Sequence, residues 1–346
     1  MIVNIFIVSI FSFIFIKFLI ANSNKFHLLD IPNERSHHCS VIPRGAGIGF
    51  VISFFLTTSF FHFDLILQYW YIYVAITIVF AIGVVDDRYE VSAKLKFIAI
   101  FIATFLLWLN GLTIDTIGTW FGYEVTLPMW LALPFSMFAL AGFTNALNLI
   151  DGLDGLAGSV SVVIITFFFF IGYTHHDTLM MSISLFTIAS LLGFLVLNWN
   201  PAKIFMGDSG SLTLGFIISV LSLLSLKYIH PIVVIYLAAL PILDTLVVMI
   251  RRIRRGKSPF SPDKTHIHHI LVKFFENDVK RTVIFLVVLQ IVFSSIGYIL
   301  IELIQNDLSG TIPFFALVIF GMLFILFYMI FTGIKKRQLV LDKGKK

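Results

Sequence analysis

Asn145, Asn148, Asp151 and Asp154 recur every third residue through Asn145-Ala146-Leu147-Asn148-Leu149-Ile150-Asp151-Gly152-Leu153-Asp154-Gly155. At helical or near-helical spacing they form one polar stripe. The stripe begins inside an otherwise apolar run. Four such groups facing lipid would be prohibitive, so they must face a wet cavity or one another. A small-residue helix interface accounts for Gly152, Gly155 and Gly158 but leaves the amides and carboxylates unexplained.

Other residues suited to phosphate chemistry are spread along the chain. Asp86 and Asp87 are adjacent carboxylates at the end of an apolar run. They are costly there without a cation or a proton to handle. Neighbours on a helix point about 100° apart, so the two need not serve one partner. Asp208 lies in Gly207-Asp208-Ser209-Gly210-Ser211. A helix cap and a hard oxygen ligand for Mg²⁺ are equally good readings of it. Asp244, in Pro241-Ile242-Leu243-Asp244-Thr245, is the clearest ionisable residue inside an apolar run and needs a partner or a role. His266, His268 and His269 crowd into four positions. The other motifs offer Asp and Asn rather than Cys or further His. Oxygen-rich sites favour Mg²⁺, so the histidines are read as hydrogen-bond donors to phosphate or sugar. Arg35 and Arg44 offer bidentate forks, and Gly45-Ala46-Gly47 lets backbone N–H groups approach an anion at a helix start.

These residues must be positioned by membrane helices. The 346-residue chain is 59% hydrophobic and 12% charged, with a mean hydropathy of +0.99. A soluble domain carries about twice that charge. The expected fold class is therefore all-α, a polytopic membrane helix bundle of one domain, residues 1–346. Apolar runs place about eleven spans, near 2–21, 46–62, 67–85, 95–112, 129–149, 157–174, 179–198, 211–227, 232–250, 283–302 and 312–332. The first run has no basic region before it and is full spanning length, so it reads as a retained helix. With the N-terminus outside, every Lys and Arg of the 24 except Lys227 falls on the inner side or at an inner helix end, the C-terminal tail 333–346 included. That asymmetry sets the orientation, with the C-terminus cytoplasmic. It also explains the net charge of +5 by membrane lipids rather than nucleic acid. The unusual residues lie in the inner segments near 22–45, 86–94, 145–158, 199–211 and 251–282. The single cysteine, Cys39, excludes an intramolecular disulfide.

The Asp-Asp pair, the stretch 145–158, Phe205-Met206-Gly207-Asp208-Ser209-Gly210-Ser211, Pro241-Ile242-Leu243-Asp244-Thr245 and His266-Ile267-His268-His269 stand in a characteristic order. In this the chain resembles the polyprenyl-phosphate N-acetylhexosamine-1-phosphate transferase superfamily, glycosyltransferase family 4. The form of the histidine motif is most similar to that of undecaprenyl-phosphate N-acetylglucosamine-1-phosphate transferases. The resemblance implies transfer of a sugar 1-phosphate from a UDP-N-acetylhexosamine to undecaprenyl phosphate, releasing UMP. That step would start a cell-surface polysaccharide such as O-antigen, at the cytoplasmic face of the bacterial inner membrane. It implies Mg²⁺, with Mn²⁺ as a substitute, held first by Asp208 and then by Asn148 and Asp151. Asp86 and Asp87 would deprotonate or position the lipid phosphate, and Asp151 and Asp154 complete the catalytic carboxylates. Asn145 and Asp154 would shape the nucleotide site. His266, His268 and His269 would contact donor phosphate or sugar, and Arg35 and Arg44 the lipid phosphate. Direct attack and a covalent aspartyl route both stay open, as does a homodimer. The rivals are the same reaction with another UDP-amino sugar, a transporter, and a non-catalytic scaffold. A transporter predicts ionisable groups near several helix midplanes, and a scaffold leaves the Asn/Asp stripe idle.

Overall fold

Within a bilayer no water satisfies backbone N–H and C=O groups, so long apolar runs must close their hydrogen bonds locally, as helices. The computed structural model, which describes residues 2–30, 41–258 and 266–344, is built on that requirement. Among the described residues eight helices are long and apolar enough to cross a membrane, or nine if one sharply bent pair counts as a single span. By length and composition the described helices thus supply eight or nine of the about eleven spans expected, within an all-α polytopic membrane protein. The helices at Ala46–Phe61 and Ala93–Leu109 have 16 and 17 residues. At 1.5 Å per residue each is shorter than the roughly 30 Å apolar layer.

The chain divides into two compact units. The first covers residues 1–116 and 127–228. Its helices are α1 (Ile2–Phe26), α2 (Ala46–Phe61), α3 (Phe63–Gln68), α4 (Trp70–Tyr89), α5 (Ala93–Leu109), α6 (Met129–Ile150), α7 (Leu156–Thr174), α8 (Thr178–Asn198) and α9 (Asp208–Ser225). A two-residue antiparallel pair, β1 (Leu29–Asp30) and β2 (Ile42–Pro43), precedes α2. Helix α9 is the core of this unit, packed against α2, α4, α6 and α7. Its close approach depends on absent side chains. A Cβ on Gly47 would stand 2.1 Å from the Gly210 nitrogen, and one on Gly83 would stand 2.6 Å from the Asp208 carbonyl oxygen. Hydroxyls buried in these helices turn back onto their own backbone, as Ser53 to Gly49 O (2.7 Å) and Thr187 to Ile183 O (2.7 Å) do. They thus need no partner from lipid.

At the far end of α9, Asp177 caps α8 through Met180 N (3.0 Å) and pairs with Lys227 (2.7 Å) and the Tyr228 hydroxyl (3.1 Å). Burial alone would raise the Asp177 carboxyl. The Lys227 ammonium and these donors outweigh it and hold the carboxyl below its ordinary value. Lys227, the one base left outside by the charge asymmetry, is therefore matched by a buried carboxylate.

The second unit covers residues 117–126 and 229–346. It holds the hairpin of β3 (Thr116–Trp120, from its second residue) and β4 (Tyr123–Thr126), then α10 (Pro231–Leu237), α11 (Ala239–Ile253), α12 (Ile267–Phe274), α13 (Val279–Gln305) and α14 (Ile312–Gly344). The expected single span at 232–250 is broken here: α10 and α11 meet at 84°. Pro241 is the local cause, because its ring excludes the carbonyl of the residue four before it. That carbonyl, of Leu237, accepts instead from Gln290 Nε2 (2.8 Å) and Ser294 Oγ (2.9 Å). Gln290 Oε1 in turn accepts from Leu240 N (3.1 Å). One buried amide thus satisfies both sides of the break.

Candidate active site

The tripeptide Asp86-Asp87-Arg88 closes α4, and the angle between successive helical side chains separates its two carboxylates. Asp87 is 2% exposed. Its Oδ1 accepts from Asp208 N (2.7 Å) and its Oδ2 from Ser209 N (3.1 Å). It caps α9 from another helix, meeting donors that a helix start leaves unpaired. Gly207, in the left-handed region at φ 73°, admits this approach; a Cβ there would lie 2.5 Å from Asp87 Oδ1. Asp86 turns elsewhere. Its Oδ1 accepts from Val91 N (2.7 Å) and from Lys96 Nζ (2.9 Å), on the first turn of α5.

Asp208 is the first residue of α9. Its Oδ1 accepts from Asn148 Nδ2 (3.1 Å), and its Oδ2 contacts the same Lys96 ammonium. Asn148 also donates to Ser211 Oγ (2.8 Å). Residues 86, 96, 148 and 208 therefore meet in one cluster at the ends of four helices.

The rest of the polar stripe follows α6 out of the apolar layer. Asp151 is the residue after its last turn. Burial first, then the negative charges of Asp208, Asp87 and Asp154, push its carboxyl up to about 8 from 3.8. Between those values the native chain holds a proton that the unfolded chain has released, so this group costs stability progressively as pH rises through the window. Asp151→Asn should leave the thermal midpoint near wild type at about pH 4–5 and lift it above wild type by about pH 8.5. A gap between the two proteins that stays constant over that range would refute the assignment.

Asp154 is committed to a loop. Its Oδ2 accepts from Asn200 Nδ2 (2.8 Å) and Ala202 N (3.0 Å). Asn198 does similar work, accepting from Gly155 N (2.9 Å) and donating to Ile204 O (2.8 Å). The same loop pairs with the entry to α2: Phe205 N to Pro43 O (2.8 Å), Ala46 N to Phe205 O (3.1 Å) and Gly47 N to Met206 O (2.9 Å). These bonds deliver Gly207 and Asp208 to the cluster. Arg44 enters at this junction, and its Nε is buried with no hydrogen-bond partner among the described residues. The adjoining Gly45 is within 3.6 Å of Asp87 Oδ2 at its Cβ position. Asn145, one helical turn before Asn148, is half-buried and makes no hydrogen bond to the cluster among the described residues. Arg35 lies outside the described residues.

The histidines belong to the second unit and form a group of their own. Asp244 is 2% exposed; its Oδ2 pairs with His266 Nδ1 (2.9 Å), and its Oδ1 accepts from Ile267 N (2.7 Å), capping α12. This is the partner its position inside an apolar run demanded. The rings of His266 and His268 lie 5.7 Å apart, and those of His268 and His269 4.2 Å apart. Arg251 and Arg252 are buried in the same unit.

Sequence reasoning did not select Lys96, Asn198, Asn200, Ser209 or Ser211. In the sequence Lys96 reads as one more of the inner-side bases. Asn198 and Asn200 carried a usable signal, two further amides beside the Asp208 motif.

The chain is similar to known proteins over most of its length. A family model described as glycosyl transferase family 4 matches residues 69–226, the stretch that contains all four cluster residues. The chain is 35% identical over 281 residues to a probable undecaprenyl-phosphate N-acetylglucosaminyl 1-phosphate transferase of Bacillus subtilis, covering 79% of this chain and 78% of that protein. It is 32% identical over 267 residues to an undecaprenyl-phosphate alpha-N-acetylglucosaminyl 1-phosphate transferase of Yersinia pestis (72% and 70% covered). It is 30% identical over 280 residues to the protein of the same name from Escherichia coli strain K12 (77% and 76%). Relatives of this identity over more than two thirds of both chains, with the family model over residues 69–226, mean that the chain belongs to glycosyl transferase family 4, the polyprenyl-phosphate N-acetylhexosamine-1-phosphate transferases.

Proposed function

We propose that the protein transfers N-acetylglucosamine 1-phosphate from UDP-N-acetylglucosamine to undecaprenyl phosphate, giving undecaprenyl-pyrophosphoryl-N-acetylglucosamine and UMP. The observation that carries this reading is the shared cluster of Asp86, Lys96, Asn148 and Asp208 at helix ends. A site at a helix end serves a soluble nucleotide donor and a lipid headgroup together. The basic asymmetry supports a cytoplasmic position for it, with the N-terminus outside. The product would begin a cell-surface polysaccharide.

An oxygen of the lipid phosphate attacks the sugar-bearing phosphorus of the donor. The bond from that phosphorus to the bridging oxygen breaks, and UMP leaves with the electron pair. A phosphate monoester loses its second proton near pH 6, so the attacking oxygen needs little help from a base at neutral pH. Anion approaching anion is the main obstacle, and positioning with charge neutralisation is the main task of the protein. Lys96 and Arg44 supply positive charge beside the reacting phosphates. Asp86 is the carboxylate placed to orient the acceptor or to take a proton. Asp87, with both oxygens on backbone donors, positions α9. Asp154 and Asn198 hold the loop before it. Asn145 and Asp151 are the groups of the first unit assigned to the donor; the histidines, in the second unit, are assigned by their chemistry to phosphate or sugar.

The donor set fits a hard divalent cation. Asp86 and Asp208, from different helices, already converge on one positive group, and Asn148 offers an amide beside them. No group of three His, Cys, Asp or Glu side chains forms a ligand cage among the described residues. Mg²⁺ needs none, being held in such enzymes by one or two carboxylates, waters and substrate phosphates. When bound, Mg²⁺ would neutralise the donor diphosphate and the departing UMP.

The test uses purified full-length protein, undecaprenyl phosphate, Mg²⁺ and a panel of radiolabelled UDP-sugars. The expected result is UMP release with label transferred to lipid, fastest with UDP-N-acetylglucosamine. Faster transfer from another UDP-amino sugar would overturn the sugar assignment. Absence of UMP release with every donor would overturn the transferase assignment.

A further inference from the structure

Lys96 makes a contact that a surface anchor does not need. Its ammonium, on a side chain only 21% exposed, lies 2.9 Å from Asp86 Oδ1 and also contacts Asp208 Oδ2. The remaining oxygen of Asp208 is taken by Asn148, and Asp86 Oδ1 also holds Val91 N. Two half-buried carboxylates drawn together would repel unless a cation lay between them. In this structure that cation is carried by the chain itself.

The same two oxygens are those a divalent ion between α4 and α9 would use. Direct Mg²⁺–oxygen bonds are about 2.0–2.1 Å long, which leaves no room for an ammonium on the same lone pairs. Asn148 and Val91 are fixed by their helices and turn. Lys96 sits on a flexible four-carbon stem and is the one group that can swing aside.

We propose that Lys96 is a built-in counter-cation: it occupies the divalent-ion position between Asp86 and Asp208 and is displaced when the ion enters. This rests on the divalent-ion part of the proposed function. It has two consequences. The empty enzyme keeps its carboxylates converged without a metal, so the site is preformed. Ion binding is an exchange, and its affinity is lowered by the ammonium that must leave. The displaced ammonium stays tethered at the edge of the site, where positive charge meets the incoming phosphates.

The experiment is a Mn²⁺ titration of the purified full chain, followed by electron paramagnetic resonance of the free ion, with no donor or acceptor present. Lys96→Met should bind Mn²⁺ at least about tenfold more tightly than wild type, because no ammonium competes for the carboxylates. Lys94→Met, which removes an exposed charge two residues away without touching either carboxylate, should shift affinity by less than about twofold. Equal or weaker binding by Lys96→Met, or an equal gain from Lys94→Met, would overturn the proposal. A second measurement needs no variant: acylation of Lys96 by a water-soluble ester, read by mass spectrometry. Labelling should rise several-fold as Mg²⁺ saturates the protein, and unchanged or falling labelling would overturn displacement. Absence of Mn²⁺ binding to every form would overturn it too. The transferase reading would then still be judged by donor turnover, which this titration does not use.

Discussion

Asp208→Asn should lower the rate of UMP release by about a thousandfold, the scale of losing one preorganised charge at a phosphoryl-transfer centre. The substitution keeps the shape of the side chain and one carbonyl acceptor for Asn148. It keeps a polar residue at the first position of α9, so what stability loses is the helix-dipole benefit of a negative charge, about 0.3–1 kcal/mol, and a partly exposed ion pair with Lys96. Asp87 still caps the helix through the backbone of residues 208 and 209. The thermal midpoint should therefore remain close to wild type while turnover collapses. What is removed is the carboxylate charge on which Lys96 converges and around which a divalent ion would assemble. Turnover within tenfold of wild type, in protein of unchanged midpoint, would take Asp208 out of the catalytic centre.

Asp87→Ala should fail in a different way. Both oxygens of Asp87 meet backbone N–H groups, and removing them leaves two donors at the start of α9 without partners. Each such buried donor costs about 1–3 kcal/mol. The variant should unfold at a clearly lower temperature and lose roughly a hundredfold or more in turnover, because Asp208 is no longer held against Asn148 and Lys96. Asp87→Asn should recover part of the midpoint, since its carbonyl still accepts one of the two bonds. Asp86→Ala provides the contrast: Asp86 accepts one backbone bond at a turn, so its loss should reduce turnover with a much smaller thermal effect. An Asp87→Ala protein as stable as wild type would show that the cap is not what this carboxylate contributes.

The two predictions separate residues that look alike in the chain. Asp86 and Asp87 are adjacent and identical in type, and the family resemblance assigns them jointly to the lipid phosphate. Which one faces the cluster depends on the rotation of α4 about its axis, and that rotation is set by Gly83 packing against the backbone of Asp208 and Ser209. Asp154 presents the same problem. It completes a regular stripe with Asn145, Asn148 and Asp151, yet α6 ends at Ile150 and the chain turns, so its carboxylate meets Asn200 and Ala202. Periodicity identifies a shared face only while the helix lasts.

Helices and chemistry were legible for a local reason. A backbone in lipid must pair with itself, so apolar runs announce helices without reference to the rest of the molecule. An Asp or Asn at the end of such a run is expensive enough to announce a purpose, as Asp208 and Asn148 do. The break between α10 and α11 was less visible. Pro241 marks it, but the break is tolerable only because Gln290, some fifty residues later, satisfies the freed groups.

By itself the sequence determined that the protein is a helical membrane protein, that its reactive residues are carboxylates and amides suited to phosphate, and that it is a family 4 transferase. Those properties are written in short runs and ordered motifs. Only the tertiary structure decided that Lys96 sits between Asp86 and Asp208, that Asp87 caps α9, and that Asp154 clasps a loop. The Lys96 and Asp87 contacts to α9 join residues 112 and 121 positions apart. They exist because glycines let α2, α4 and α9 pack at backbone distance, a matter of three-dimensional fit that no local pattern encodes.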